Sequence, residues 1–256
     1  MTSKNFKGLF RFDPTKSGFI GVERECFITT PEGLIVPEAA AVLADLPFGP
    51  FGYELSACQI ESRVGPHTIA ELAPALRTSD ARLKTTLERY GFSALYTEVG
   101  PEDMPLDVYP DPTGRYQEIV KDLPRSVLLA ACRVIGTHVH IGMPDHETAL
   151  ATYNGVIRHL DELCEIGNGS FGERLAIYRQ MAPNYKPQPY CSWQEYYETA
   201  VAQGFAEDPR KCWTLIRISI HGTIEFRMFG ATNSIERIVS WATRCHELCE
   251  DALAVA

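Results

Sequence analysis

The sequence lacks any run of about 18 apolar residues, the length a helix needs to cross a bilayer, so no membrane span is expected. Its opening, MTSKNFKGLFRFDPTKSG, lacks the long apolar segment and cleavage pattern of a secretory leader. A cytoplasmic setting is the expectation. It also lacks a basic excess: Lys and Arg number 24 against 33 Asp and Glu, a net charge of −9. That excludes general nucleic-acid binding, which requires a basic face, but not a local anion site. No C-x-x-C pair occurs among the cysteines at 26, 58, 132, 164, 191, 212, 245 and 249. Cys245 and Cys249 sit one helical turn apart, but reduced, buried thiols are the expectation for all eight. Repeats and low-complexity tracts are absent too. What remains is an ordinary globular composition, 45% apolar and 22% charged, enough for one domain over residues 1–256 to build a sizeable core.

Apolar periodicity at Ile69, Leu72, Leu76, Leu83, Leu87 and Tyr90 predicts a helix within 65–91, opened by a Gly65-Pro66 breaker and distorted near Pro74. ALYTEV (94–99) reads as a strand, and the Pro-, Gly- and Asp-rich 100–114 as a long loop. Residues 115–135 read as helix interrupted at Pro124. GTHVHIGM (136–143) reads as a strand, followed by a helix capped by Asp145 and running to about 166. Residues 167–192 read as irregular. Ser192 and Glu195 form a capping box for a helix ending at Gly204. Residues 213–230 read as strand with a turn at His221-Gly222, and a final helix follows Asn233 or Ser234. Strands and helices do not alternate as βαβ units. The fold class is therefore α+β, a mainly antiparallel sheet with helices packed on one face.

The polar faces of these strands are unusual. In GFIGVERECFITT (18–30), Glu23 and Glu25 share a face at about 7 Å, where they repel unless a cation, a proton or water compensates. Gln59, Glu61 and Arg63 share a face in the next strand, and Glu54 lies just upstream of it. His138 and His140 point the same way. So do Arg217, Ser219 and His221, and then Glu225, Arg227 and Phe229. Lysine, the usual decoration of an exposed strand, is missing from all four strands. A solvated sheet face, a zinc or iron hydrolase and a phosphoryl-transfer site all remain open. Carboxylates with a minority of imidazole favour magnesium or manganese, and arginines beside them suit phosphate or carboxylate.

The stretches GVERECFI, ELSACQIES, TGRYQEI, GTHVHIG and GTIEFR occur in the order expected of the glutamate–cysteine ligase type 2 family, and the chain resembles that family of carboxylate–amine ligases. The resemblance implies a catalytic domain like that of glutamine synthetase and the guanido kinases, with its active site on the polar sheet face. It implies ATP and Mg2+ (or Mn2+) as cofactors. The partners would be a small-molecule carboxylate, with glutamate the leading acid, and an amine. A homo-oligomer is compatible with it. Residue by residue, it places Glu25, Glu54 and Glu61 around the metal nearer the substrate, with Glu54 also catalytic. It places Glu23, His138 and Glu225 around the metal on the nucleotide phosphates. Arg227 meets the transferring phosphoryl group, Arg174 and Arg179 grip phosphate from the long loop, and Arg217 and His140 face substrate. Arg115 matches a family position for which residue chemistry suggests no role. Ala57 stands where some relatives carry a further acid. The chain is shorter than the family pattern, so the pocket is expected to be more open or completed by another subunit. Removing Glu225 from so acidic a cluster is expected to relieve repulsion when no metal is bound.

Overall fold

In the computed structural model, which describes residues 1–255, seven strands form a single antiparallel sheet. They are β1 (Ile20–Thr29), β2 (Phe51–Tyr53), β3 (Gln59–His67), β4 (Ser93–Leu95), β5 (Gly136–Gly142), β6 (Ile216–Ser219) and β7 (Thr223–Gly230). Their spatial order is β2-β3-β1-β5-β7-β6, and β4 pairs with the end of β1. Ten helices accompany them: α1 (Ser3–Lys7), α2 (Ala39–Leu43), α3 (Ile69–Arg89), α4 (Arg115–Val120), α5 (Arg125–Arg133), α6 (His146–Val156), α7 (Leu160–Ile166), α8 (Glu173–Met181), α9 (Trp193–Ala202) and α10 (Ile235–Val255).

One sheet face is apolar because its strands alternate. Ile20, Val22, Val139, Ile141, Ile216, Ile218, Ile224 and Phe226 are buried there against Leu72 and Leu76 of α3, Leu150 and Tyr153 of α6, and Ile238 and Trp241 of α10. Each such side chain contributes roughly 1.5–3 kcal/mol by leaving water. Arg24 is the exception on that face. It is 1% exposed, pairs with Asp80 of α3, donates to the Thr232 carbonyl at 3.1 Å and lies over the Tyr96 ring. Cys245 and Cys249 are buried in the same core, and all eight cysteines are free thiols.

Several expected boundaries move. Gly65-Pro66 does not break the chain into a helix. It stays in β3 as a bulge, where the two residues oppose Gly21 and the register shifts between Ile20 and Val22. Gly65 has φ +125°, and a Cβ there would strike the backbone of Ile20 and Gly21. The helix begins instead at Ile69, where Thr68 and Glu71 form a capping box, and it runs through Pro74. The strand expected over 94–99 is only the short β4. The 167–192 stretch, read as irregular, contains α8.

A second bulge matters more. Thr137 pairs with Phe229 and Val139 with Phe226, so Arg227 and Met228 together oppose His138. The extra residue flips parity. Phe229, expected beside Glu225 and Arg227, instead stacks on Trp241 in the core at 4.9 Å.

The polar face is not left bare. Helices α4, α5 and α8 and residues 209–213 surround it and enclose a cavity of about 390 Å³.

Candidate active site

Antiparallel register builds the site in three rows across the sheet. Glu61 of β3 is opposite Glu25 of β1. Next, Arg63 is opposite Glu23, and Glu23 is opposite His138 of β5. In the third row, Gly21, His140, Glu225 and Arg217 follow one another across β1, β5, β7 and β6. Glu54 joins from the residue after β2, beyond regular pairing.

Two sets of three donors result, each with ligand atoms within 4.8 Å of one another. Glu25, Glu54 and Glu61 form one, the grouping expected for the substrate-side metal. The other is Glu23, His140 and Glu225. His140, expected to face substrate, completes this grouping, while His138, expected there, lies beside it. His140 Nε2 lies 3.4 Å from Glu23, and its Nδ1 meets Thr223 Oγ1 at 2.8 Å. His138 sits between the sets, with Nδ1 at 3.2 Å from Glu23 and Nε2 at 3.8 Å from Glu25.

Electrostatics separate the two sets. Burial pushes Glu54 up to about 7, and the nearby Glu25 charge adds to the effect. Burial also raises Glu25, and raises Glu61 well above the carboxylate range with help from Glu23 and Glu54. Arg63 pairs with Glu61, and Arg174 and Arg227 act on Glu25, yet burial outweighs them. The all-oxygen donors fit a hard divalent cation, which would supply further positive charge. Burial opposes ionisation of Glu23 as well, but His140 and His138 outweigh it and hold Glu23 well below the usual range. Glu225 is likewise held low, because Arg217 and Arg227 outweigh its burial. Burial, with Arg227 beside it, lowers His138; burial of His140 is outweighed by Glu23 and Glu225, which raise it. Two carboxylates and one imidazole fit magnesium or manganese.

The arginines divide into two kinds. Arg217 grips Glu225 bidentately, Nε to Oε2 at 2.7 Å and Nη2 to Oε1 at 2.9 Å. Arg227 Nη1 reaches Glu225 Oε1 at 2.5 Å, while its buried Nε has no partner among the described residues. Arg174 and Arg179 are not a loop pair. On a helix, five residues turn about 140°, so the two side chains diverge. Arg174 is buried and donates to the carbonyls of Ile135, Met228 and Arg227 at 2.8, 3.1 and 3.3 Å. Arg179 is exposed, lies over the Tyr185 ring and does not line the cavity.

Three features of the cavity carried no assigned role in the sequence reading. Gly136 N–H donates to Glu25 Oε2 at 2.6 Å and steadies it. Tyr178, hidden in the stretch read as irregular, lines the cavity and donates to the Trp213 carbonyl at 2.8 Å. Ile119, Leu123 and Val127 line it from α4, α5 and the turn between them. Their i, i+4, i+8 spacing was legible, but not the direction in which that face points.

The fold is that of the glutamine-synthetase-like catalytic domains. The chain superposes on a bifunctional glutathione synthetase from Pasteurella multocida with a TM-score of 0.61 at 15% identity, covering 98% of this chain and 41% of that one. For a Plasmodium falciparum glutamine synthetase the TM-score is 0.50 at 13% identity, covering 92% and 51%. In sequence, the chain is related to the glutamate–cysteine ligase type 2 proteins, the family its five motifs resemble. It is 24% identical to "Putative glutamate–cysteine ligase 2" of Thermobifida fusca over 89% of this chain and 62% of that protein. It is 28% identical to "Putative glutamate–cysteine ligase 2-2" of Saccharopolyspora erythraea over 95% and 68%. The chain thus spans about two thirds of the length of these relatives. No family model matches it. No described helix is long and apolar enough to cross a membrane.

Proposed function

We infer that the protein is an ATP-dependent carboxylate–amine ligase that forms an amide through an acyl phosphate. The observation that carries this reading is the pairing of two three-donor carboxylate sets with Arg217 and Arg227 on one sheet face inside one cavity. A carboxylate is a poor electrophile, because its leaving group would be oxide. Transfer of the γ-phosphoryl group of ATP to the carboxylate oxygen releases ADP and makes phosphate the leaving group. The neutral amine then bonds to the acyl carbon as the carbon–oxygen bond to phosphate breaks; phosphate departs with the electron pair, and the nitrogen gives up one proton to leave the amide.

ATP and the acid together carry about five negative charges, so the work of the site is to bring them together and hold them. Glu25, Glu54 and Glu61, and Glu23, His140 and Glu225, would hold magnesium or manganese, which would supply the neutralising charge. Arg227 presents its free buried Nε to the charge that builds on the phosphoryl group. Arg217 fixes Glu225 in ionised form beside it. His138, kept neutral between the two sets, hydrogen-bonds Glu23 and sets its orientation. The relatives' printed name and the notional acid of the family make a γ-glutamyl amide the leading product class.

A zinc or iron hydrolase using His138 and His140 is the rival. It fits less well, because only one of the two imidazoles falls in a donor set and the other set has none. The test is ADP release in step with amide formation, given ATP, magnesium and a panel of acids and amines. Amide hydrolysis at full rate with zinc and no nucleotide would instead establish the rival.

A further inference from the structure

The cavity has one arginine with nothing to hold. Arg174, Arg210, Arg217 and Arg227 are each bonded to a carboxylate or to main-chain carbonyls. Arg115 lines the same cavity and lies over the Tyr116 ring at 5.6 Å, and its guanidinium has no hydrogen bond or ion pair among the described residues. It opens α4, and α4, α5 and the turn between them then present Ile119, Leu123, Val127 and Ala131 to the cavity. These four half-buried apolar side chains join none of the hydrophobic clusters of the molecule. A half-buried apolar strip that packs on no core is a wall for something else.

The wall stands at the end of the cavity holding Glu25, Glu54 and Glu61. Tyr116 packs edge-on to Tyr53 at 5.8 Å, and Glu54 follows Tyr53 in the chain. At the other end of the wall, the Cys132 carbonyl accepts from Gln59 Nε2 at 2.8 Å, and Gln59 shares its strand face with Glu61. A free cation and an apolar strip therefore meet at the end of the cavity that holds Glu25, Glu54 and Glu61. An α-amino acid offers their complements, a carboxylate and an aliphatic side chain, and leaves its amine free to react.

We propose that the amine substrate of this site is an α-amino acid with an aliphatic side chain, its carboxylate on Arg115, its side chain on the Ile119–Leu123–Val127 wall and its amine directed into the cavity. The proposal rests on the ligase reading of the same cavity and narrows it. Glycine and simple alkylamines satisfy only part of the subsite. The guanidinium discriminates by charge, because a carboxylate can take two of its N–H groups at once. The wall discriminates by area removed from water.

The test is calorimetric titration of the full-length chain with L-leucine, glycine, L-leucinamide and ATP, in the presence of Mn2+, alongside ADP-release assays with glutamate as the acid. Leucine is expected to bind roughly tenfold or more tightly than glycine. Arg115→Gln is expected to weaken leucine by about tenfold to a hundredfold and to leave leucinamide and ATP nearly unchanged. Arg115→Lys should recover part of the loss. Leu123→Asp is expected to weaken leucine but not glycine, and Val127→Ser does the same with less risk to folding. If wild-type protein does not bind leucine, the proposal is overturned. It is equally overturned if the Arg115 and Leu123 variants weaken ATP and spare leucine, because the wall then belongs to the nucleotide. Leucine binding that responds to Arg115, with no ADP release from glutamate or from a panel of other small carboxylic acids, supports the subsite and refutes the ligase reading.

Discussion

Arg174 on α8 donates a hydrogen bond to the main-chain carbonyl of Arg227, within the bulge of β7. A second bond goes to the carbonyl of Met228, the other bulged residue. A bulge interrupts the ladder and leaves main-chain groups in need of partners. Arg174 supplies them from α8. Gly136 leaves room for it, since a Cβ there would strike the guanidinium. Arg174 therefore positions the strand segment that carries Arg227.

Arg174→Ala should destabilise the protein by roughly 3–5 kcal/mol, because three buried carbonyls lose donors and a cavity opens. Arg179→Ala should change stability by less than about 0.5 kcal/mol and leave ATP affinity unaltered, since Arg179 is exposed over Tyr185. Chemical denaturation of both variants, with nucleotide titration of the second, checks the contrast. Equal effects would mean that α8 does not organise the bulge.

Glu225→Ala should abolish turnover and also cost roughly 3–5 kcal/mol in the metal-free protein. Considered as one acid in a crowd, Glu225 promised relief of repulsion on removal. In the structure it is 1% exposed and holds both Arg217 and Arg227, so its loss strands the buried Arg227 and leaves Arg217 only the carbonyls of Arg210 and Cys212. A melting curve unchanged from wild type would restore the repulsion argument.

Arg227→Lys should not rescue Arg227→Ala. The bond to Glu225 is a simple ion pair that an ammonium can make, but the free Nε beside it belongs to the planar guanidinium. Loss of a preorganised donor aimed at developing charge costs about 10²–10³ in kcat, with little change in ATP affinity. Steady-state kinetics of both variants decide the matter. Near-normal kcat in the lysine variant would reduce Arg227 to an ion-pair partner.

Stability of the metal-free protein should fall as pH rises from about 5 to 8. Glu54 is raised to about 7 from the ordinary 4.5, and Glu25 and Glu61 are raised too, by burial first. Between those values the folded chain keeps protons that the unfolded chain has released, so raising the pH favours unfolding. The Glu54 contribution is roughly 2–3 kcal/mol at most. Glu23 and Glu225 act in the opposite sense: their stabilisation is present above about 4.5 and disappears as pH falls through their depressed folded values. Thermal denaturation across this range, with and without Mn2+, should show the alkaline loss shrinking when the metal is present. An unchanged melting temperature between about pH 5 and 8 without metal would contradict the crowded-carboxylate picture.

The sequence by itself determined the alternation of β1, β3, β5 and the β6–β7 hairpin, and with it the single polar face carrying Glu23, Glu25, Glu61, His138, His140, Glu225 and Arg227. Side chains two apart in a strand share a face whatever the strand pairs with. It also determined the break at Pro124 and the cap at Asp145, because proline and side-chain caps act within a few residues. Tertiary structure alone decided which donors meet. Which imidazole meets Glu23 and Glu225 together depends on the register of β1 and β7 against β5, which is not local. The β7 bulge that moves Phe229 into the core depends on its pairing with β5 and on Arg174 arriving from α8. The difference between Arg174 and Arg179 appears only once residues 173–181 coil into a helix, which turns one guanidinium beneath the sheet and the other into water.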